Sequence, residues 1–387
     1  MAQDAAGLRA DKDPLVSLLA ELGARDTTNP PGHEKEICGF LADYLGERGV
    51  KTRTMEFEPG RASICAELPG REPGAFLLSA HLDTVKLAEG WRTDPFALTE
   101  RDGRLYGLGA ADMKGGVVAM VHAFLEVARR GRPRHALRLL LSADEEIHYR
   151  GASQFQREGL TEGALFAIVA EPSAGKILVG ERGEFWVRVH FTGKEAHGST
   201  PHEGVNAVLA CARFLAEVES RMRSAPPIAP FGPTTFNAGR IAGGRQVNIV
   251  ADGCLAELDF RVGSEAERDR IAALLDEEGV QATPPGGSYR RETISWVKSF
   301  HTDADEPRVA SLRRAYRETL GREAEISTAP YCTDQPSLFP GDYPPCVIFG
   351  PGDIAQAHQP NEYTTRQSLR EITAVVARFL MAELRPE

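Results

Sequence analysis

A chain of 387 residues, 42% hydrophobic and 26% charged, has the composition of an ordinary folded protein and leaves no room for disordered, collagen-like or coiled-coil classes. Its 45 Lys and Arg against 55 Asp and Glu give a formal net charge of −10, which repels phosphate backbones; without a basic cluster interleaved with aromatics, nucleic acid is excluded as a partner. No apolar run reaches the roughly 18 residues of a membrane span, the first residues (MAQDAAGLRADKD) lack an apolar signal core, and none of the 6 cysteines forms a C-x-x-C pair, so a cytoplasmic protein without membrane contact or disulfide framework is expected.

The length predicts two domains, or one with a large insertion. Apolar residues at helical spacing predict helices over 14–22 and 36–45, followed by β-rich runs at 50–57, 62–68 and 76–80. After Gly115 and Gly116 a helix runs through VVAMVHAFLEVARR to Gly131 and Pro133. An apolar strand at 136–141, a helix around 151–157 and a strand at 165–170 complete an alternation that predicts an α/β sheet with parallel members, which places ligands beyond the C-terminal strand ends. From about Glu181 the pattern becomes α+β, with strands at 185–192, 234–241 and 253–262 and helices over 205–222 and 265–278. After Gly286 and Gly287 the α/β pattern resumes with a strand near 292–297, a helix from Arg308, a β-run at 346–349 and a closing helix over 369–384. A catalytic domain over 1–180 and 293–387, interrupted by an inserted domain over 181–292, is the expectation.

Chemistry concentrates where acids and histidines directly follow apolar strand-like runs, because polar groups there are costly unless a partner compensates. In FLLSAHLDTV, His81 closes a strand and Asp83 lies two residues on, a spacing that suits a metal-ligating histidine whose second ring nitrogen is held by a carboxylate. A capped strand end with a His–Asp hydrogen bond is the plain alternative. In LYGLGAADMKGG, Asp112 replaces the third glycine of a dinucleotide-binding loop, where its charge would face a pyrophosphate; it suits a cation, or simply opens a helix. LRLLLSADEE crowds Asp144, Glu145 and Glu146 after a buried strand, so one glutamate can ligate a metal while its neighbour faces water as a general base; the alternative is a solvated acidic turn. Glu171 follows LFAIVA, and His358 and Glu362 share a loop after the last strand-like run. This nitrogen and oxygen donor set without sulfur fits Zn, Co or Mn. Its number of carboxylates points to two metals sharing a bridge, which generate hydroxide at neutral pH and polarise a carbonyl.

The ordered motifs HLDTV, GLGAADMKGG, DEE, EP and AHQPNEY resemble those of the acetylornithine deacetylase, succinyl-diaminopimelate desuccinylase and glutamate carboxypeptidase family of dizinc hydrolases, across nearly the whole chain. WRTDPFALTERDGRLYGLGAADMKG and GPGDIAQAHQPNEY are most similar to the acetylornithine deacetylase branch. The resemblance implies a zinc-exopeptidase-like catalytic domain, with a mixed, largely parallel sheet between helices, and an inserted α+β lid and dimerisation domain. It implies that His81, Asp112 and Glu171 hold one metal and Asp112, Glu146 and His358 the other, Asp112 being the bridge. Glu145 is then the general base and Asp83 the carboxylate behind His81, and a cis Asp112–Met113 peptide bond is implied as well. EAHGSTPHEGVNAV is similar to the stretch whose histidine, here His197, reaches the active site of the other subunit. Asn248 (QVNIVAD) and Arg261 (LDFRV) match the family's substrate-binding asparagine and arginine; for Arg261 a surface strand charge is the alternative.

The implied protein is a homodimeric amidohydrolase with two divalent ions, Zn first and Co or Mn as alternatives. It removes an acyl group, acetyl or similar, from the nitrogen of an amino acid or related small molecule. An exopeptidase or dipeptidase on the same site is the second reading, and a non-catalytic dimeric binding module a third. The chain departs from the family pattern at EEIHYRGA, where His148 and Tyr149 read as the start of a helix. Cys332 in YCTDQPSLF reads as a pocket-lining residue with no base beside it, and His122 and His190 read as structural.

Overall fold

The strand Ala75–His81 is buried at every position, because the alternation of apolar strands and helices leaves it covered on both faces. In the computed structural model, which describes residues 5–387, it lies at the centre of a mixed sheet. The strands Ala136–Ser142, Ala75–His81, Ala164–Pro172 and Cys346–Gly350 lie side by side and parallel, so their C-terminal ends share one edge. Antiparallel strands extend this core on both sides: Arg61–Leu68 and Thr52–Glu58 beyond Ala136–Ser142, and Ile177–Glu181 beyond Cys346–Gly350. The fold is α/β, as the alternation predicts.

The helix Lys114–Ala128 is apolar nearly all round and packs between the sheet and the closing helix Arg366–Leu384. Gly116 is required at its start, since a Cβ there would collide with the carbonyl oxygen of Ala170, next to Glu171. A small sheet of Thr99–Arg101, Arg104–Tyr106 and Tyr363–Thr365, too short to read from periodicity, fixes the end of the loop that carries His358.

The chain divides into two compact units: one holds the described residues through Gly180 with His301–Ser327 and Thr333–Glu387, the other Glu181–Phe300 with Thr328–Cys332. The second is an antiparallel sheet in the order Thr235–Gly243, Gly253–Val262, Gly183–Thr192, Ser288–Val297. The helices Ala207–Ser224 and Glu265–Ala282 pack on it, and alternate residues of Gly253–Val262 are buried. Here the boundary expected at 292/293 is corrected. The strand Ser288–Val297 pairs with Gly183–Thr192 in this sheet rather than joining the larger unit. Gly286 and Gly287 form the turn that feeds it from the preceding helix, so the two glycines mark a turn inside the unit and not its end.

Among the described residues, no helix is long and apolar enough to cross a membrane. His122, on the buried helix, meets the Tyr44 hydroxyl at 3.3 Å, and burial, reinforced by Arg129 and Arg48, pushes its pKa down to about 4. The unfolded chain, with an ordinary histidine pKa, takes up this proton first, so the stability present at neutral pH falls as pH drops from about 6.5 towards 4, by up to about 3 kcal/mol. Urea unfolding at pH 7 and pH 5 should therefore show a smaller acid loss for His122→Gln than for the wild type.

Candidate metal centre

Strand ends supply most of the cluster. His81 is the last residue of Ala75–His81, Glu171 lies at the end of Ala164–Pro172, and Glu145 and Glu146 sit in the turn after Ala136–Ser142. His358 comes from the loop after Cys346–Gly350, and Asp112 from the glycine-rich loop that leads into Lys114–Ala128. The Asp112–Met113 peptide bond is cis, as the resemblance implies. Asp112 divides its oxygens between two imidazoles: Oδ1 lies 3.1 Å from His81 Nε2 and Oδ2 lies 3.4 Å from His358 Nε2. Glu171 lies 3.5 Å from His81 Nε2, and Glu146 lies 3.1 Å from His358 Nε2. Thus His81, Asp112 and Glu171 form one group, and Asp112, Glu146 and His358 another, with donor atoms in each within 4.8 Å of one another. Glu145 approaches His81 Nε2 at 4.0 Å without joining either group.

The charges do not balance without a cation. Burial, and then the charges of their carboxylate neighbours, push Glu145 and Glu171 well above the usual carboxylate range and raise Glu146. His81 is driven upward by Glu171, Asp112 and Glu145 although its burial opposes this, and the hydrogen bond to Glu146 lifts His358 to about 9. Unlike Glu145, Glu146 and Glu171, Asp112 is lowered, its burial outweighed by the two imidazoles. Glu146 Oε1 is buried with no hydrogen-bond partner. An acid-rich donor set of imidazoles and carboxylates with an orphaned buried oxygen fits divalent cations.

Asp144, the third acid of the DEE turn, is taken out of the cluster. Arg61 donates to it at 3.1 Å and Asn29 at 2.9 Å, and Arg150 donates to its other oxygen. These donors hold its carboxyl below the usual range despite burial. Arg61 is itself buried and also forks onto Glu34 at 2.5 and 2.7 Å. Arg61→Met would strand the buried carboxylate of Glu34 and take one of three donors from Asp144, and is expected to cost about 3–5 kcal/mol in urea unfolding of the metal-free protein.

Asp83 stands behind His81 as expected from the sequence, but its main-chain oxygen comes nearer than its carboxylate. His81 Nδ1 lies 3.0 Å from the main-chain oxygen of Asp83 and 3.7 Å from its carboxylate. The carboxylate also accepts the backbone N–H groups of Glu145 at 3.1 Å and Glu146 at 3.2 Å, and the Asn29 amide at 2.9 Å. The strand ends at His81, so the extended geometry that same-side projection requires need not continue to Asp83. Sequence reasoning missed Asn29, Arg61 and Glu34, which are distant in sequence from the groups they hold. It also missed Asp334, which accepts from Ser142 and is pushed by burial to about 7.

The remaining expected residues belong to the second unit. Exposed His197 pairs with Ile249 in an isolated bridge, and Gly198 N–H donates to the Asn248 main-chain oxygen at 2.8 Å, so His197 and Asn248 are neighbours. Arg261 is half-buried rather than a free surface charge: its guanidinium meets Asp259 at 3.0 Å, Glu184 at 3.5 Å and the Cys332 sulfur at 3.7 Å. In the larger unit, Tyr149 caps the helix Arg150–Arg157 with exposed His148 before it. In the smaller unit, His190 meets Glu292 at 3.2 Å.

Residues 77–382 match the model of peptidase family M20/M25/M40. An acetylornithine deacetylase of Photorhabdus laumondii is 32% identical over 388 residues, which cover 95% of this chain and 96% of the relative. A tripeptidase from Staphylococcus aureus shares the fold with a TM-score of 0.78 at 23% identity, over 96% of this chain and 98% of that one. A dinuclear metal-binding M20 peptidase from Bacillus subtilis does so with a TM-score of 0.71 at 14% identity, over 96% and 98%. The chain belongs to peptidase family M20/M25/M40 and is a hydrolase of that family.

Proposed function

We propose that this hydrolase removes an N-acyl group, acetyl or similar, from an amino acid or related small molecule, using two divalent metals in the cytoplasm as a homodimer. The observation that carries the proposal is Asp112, whose two oxygens are shared between two histidine–carboxylate groups. His81, Asp112 and Glu171 would hold one cation and Asp112, Glu146 and His358 the other. When bound, such cations polarise an amide carbonyl and make water acidic enough to react at neutral pH, with Zn fitting the donors and Co or Mn as substitutes.

Glu145 stands beside the cluster, 4.0 Å from His81 Nε2 and outside both ligand groups, placed to act as the base. It takes a proton from water as the oxygen attacks the carbonyl carbon, then delivers it to the leaving nitrogen as the C–N bond breaks. Asp83 holds the turn that aims Glu145 through its bond to the Glu145 N–H. His197, supplied by the other subunit, stabilises the oxyanion, while Asn248 and Arg261 receive the substrate carboxylate. A carboxypeptidase-like exopeptidase or dipeptidase is the second reading, supported by the peptidase relatives of the fold.

The test is a screen of metal-reconstituted protein against N-acyl amino acids and dipeptides, before and after exhaustive chelation. Turnover of N-acetyl amino acids that disappears with the metal and returns with Zn or Co supports the leading reading. Turnover restricted to dipeptides selects the second, and full activity in protein shown metal-free by elemental analysis overturns both.

A further inference from the structure

Glu362 lies four residues after His358, and its carboxylate is buried beneath the loop that carries Asp112. It accepts three backbone N–H groups of that loop: Gly109 at 3.0 Å on one oxygen, and Ala111 at 2.7 Å and Asp112 at 2.9 Å on the other. Its own main-chain oxygen accepts Gly107 N–H at 3.1 Å. Asn361 docks the same loop on a third segment, accepting from Arg92 N–H at 2.8 Å and donating to the Gly90 carbonyl at 3.2 Å. Lys114, fully buried two residues after Asp112, interacts electrostatically with Glu362 and donates to the Arg25 carbonyl at 2.9 Å.

We infer that Glu362 is a positioning residue that fixes Asp112 and His358 relative to each other, and so builds the group of Asp112, Glu146 and His358 more than the group of His81, Asp112 and Glu171. This inference rests on the proposed metal site. The reason is geometric. Glu171 and His81 are set by the central sheet. Asp112 and His358 both come from loops, and the carboxylate of Glu362 joins those loops. Hydrogen bonds of 2.7–3.0 Å from backbone N–H groups fix the main chain that donates them. Three of them on one loop can hold a ligand carboxylate without touching it.

Glu362→Gln separates this role from simple packing. Glutamine keeps the shape, but offers one oxygen where the carboxylate offers two, so its NH2 faces at least one N–H donor and that bond is lost. Glu362→Ala removes all three bonds, and serves as the stronger variant if it folds. Metal-free wild type and Glu362→Gln are titrated with Co(II) by calorimetry, with circular dichroism confirming the fold. Amide hydrogen exchange follows segment 107–112 in the metal-free state.

The expected result is two equivalents on the wild type, with one bound at least about tenfold more weakly by Glu362→Gln and the other changed by less than about threefold; supports behind a ligand commonly carry losses of about 10–100-fold. Exchange in segment 107–112 should quicken without metal present. Equal affinities and equal exchange in the two proteins overturn the clamp and leave the proposed function standing. Loss of both equivalents in proportion would mean general loosening and also overturn it. A wild type that binds no Co(II) overturns the metal reading itself and the inference with it.

Discussion

Glu145→Gln should lower kcat by at least about 100-fold, the lower end for loss of a general base, while both equivalents of metal remain bound. Glutamine matches glutamate in shape and cannot accept a proton, so the variant tests proton transfer rather than packing. Metal content should persist because Glu145 belongs to neither ligand group, whereas Glu146 forms one group with Asp112 and His358. Glu146→Gln is accordingly expected to lose metal as well as rate. Elemental analysis beside steady-state kinetics separates the two: a Glu145 variant that sheds its metal while a Glu146 variant keeps it would reverse the roles of the pair. The geometry argues against that reversal, since His358 Nε2 meets Glu146 at 3.1 Å and Glu145 only approaches His81, at 4.0 Å.

What the sequence made legible was the part of the site built on strands. His81 and Glu171 stand out because a charged or ligating residue after an unbroken apolar run demands a partner, and period-2 strands deliver their ends to one edge of a parallel sheet. The supports were not legible. Arg61 reaches Glu34 across 27 residues and Asn29 reaches Asp144 across 115, and neither stretch carries a periodic signal for such pairing. Asp83 shows the limit of local geometry: beside its place behind the histidine two residues before it, its side chain hydrogen-bonds the turn after a neighbouring strand, 62 and 63 residues away. The strand Ser288–Val297 failed for a different reason, because a turn glycine pair and a domain-boundary glycine pair look alike until pairing partners are known.

Co-refolding Glu145→Ala with His197→Ala subunits should restore about a quarter of wild-type activity, although each variant alone should be down by about 100-fold or more. His197 belongs to the smaller unit and Glu145 to the larger, and His197 is exposed, its ring bonded only locally at 2.7 Å to the Ser199 hydroxyl among the described contacts. An exposed imidazole held by its own turn is free to meet a group outside its unit. If that is the active site of the second subunit, a hybrid dimer has one complete site: the chain with His197→Ala keeps Glu145 and receives His197 from the other chain. The second site lacks both. Random pairing makes about half the dimers hybrid, each with one of its two sites working, which gives the quarter. Within a single chain the arithmetic differs, because every site in a hybrid would lack one residue and no activity would return. Native mass spectrometry verifies that hybrids form and that the protein is a dimer. Verified hybrids with no recovery would assign His197 to its own chain, and a monomeric protein would remove the exchange altogether, so only recovery near a quarter supports a site built from two subunits.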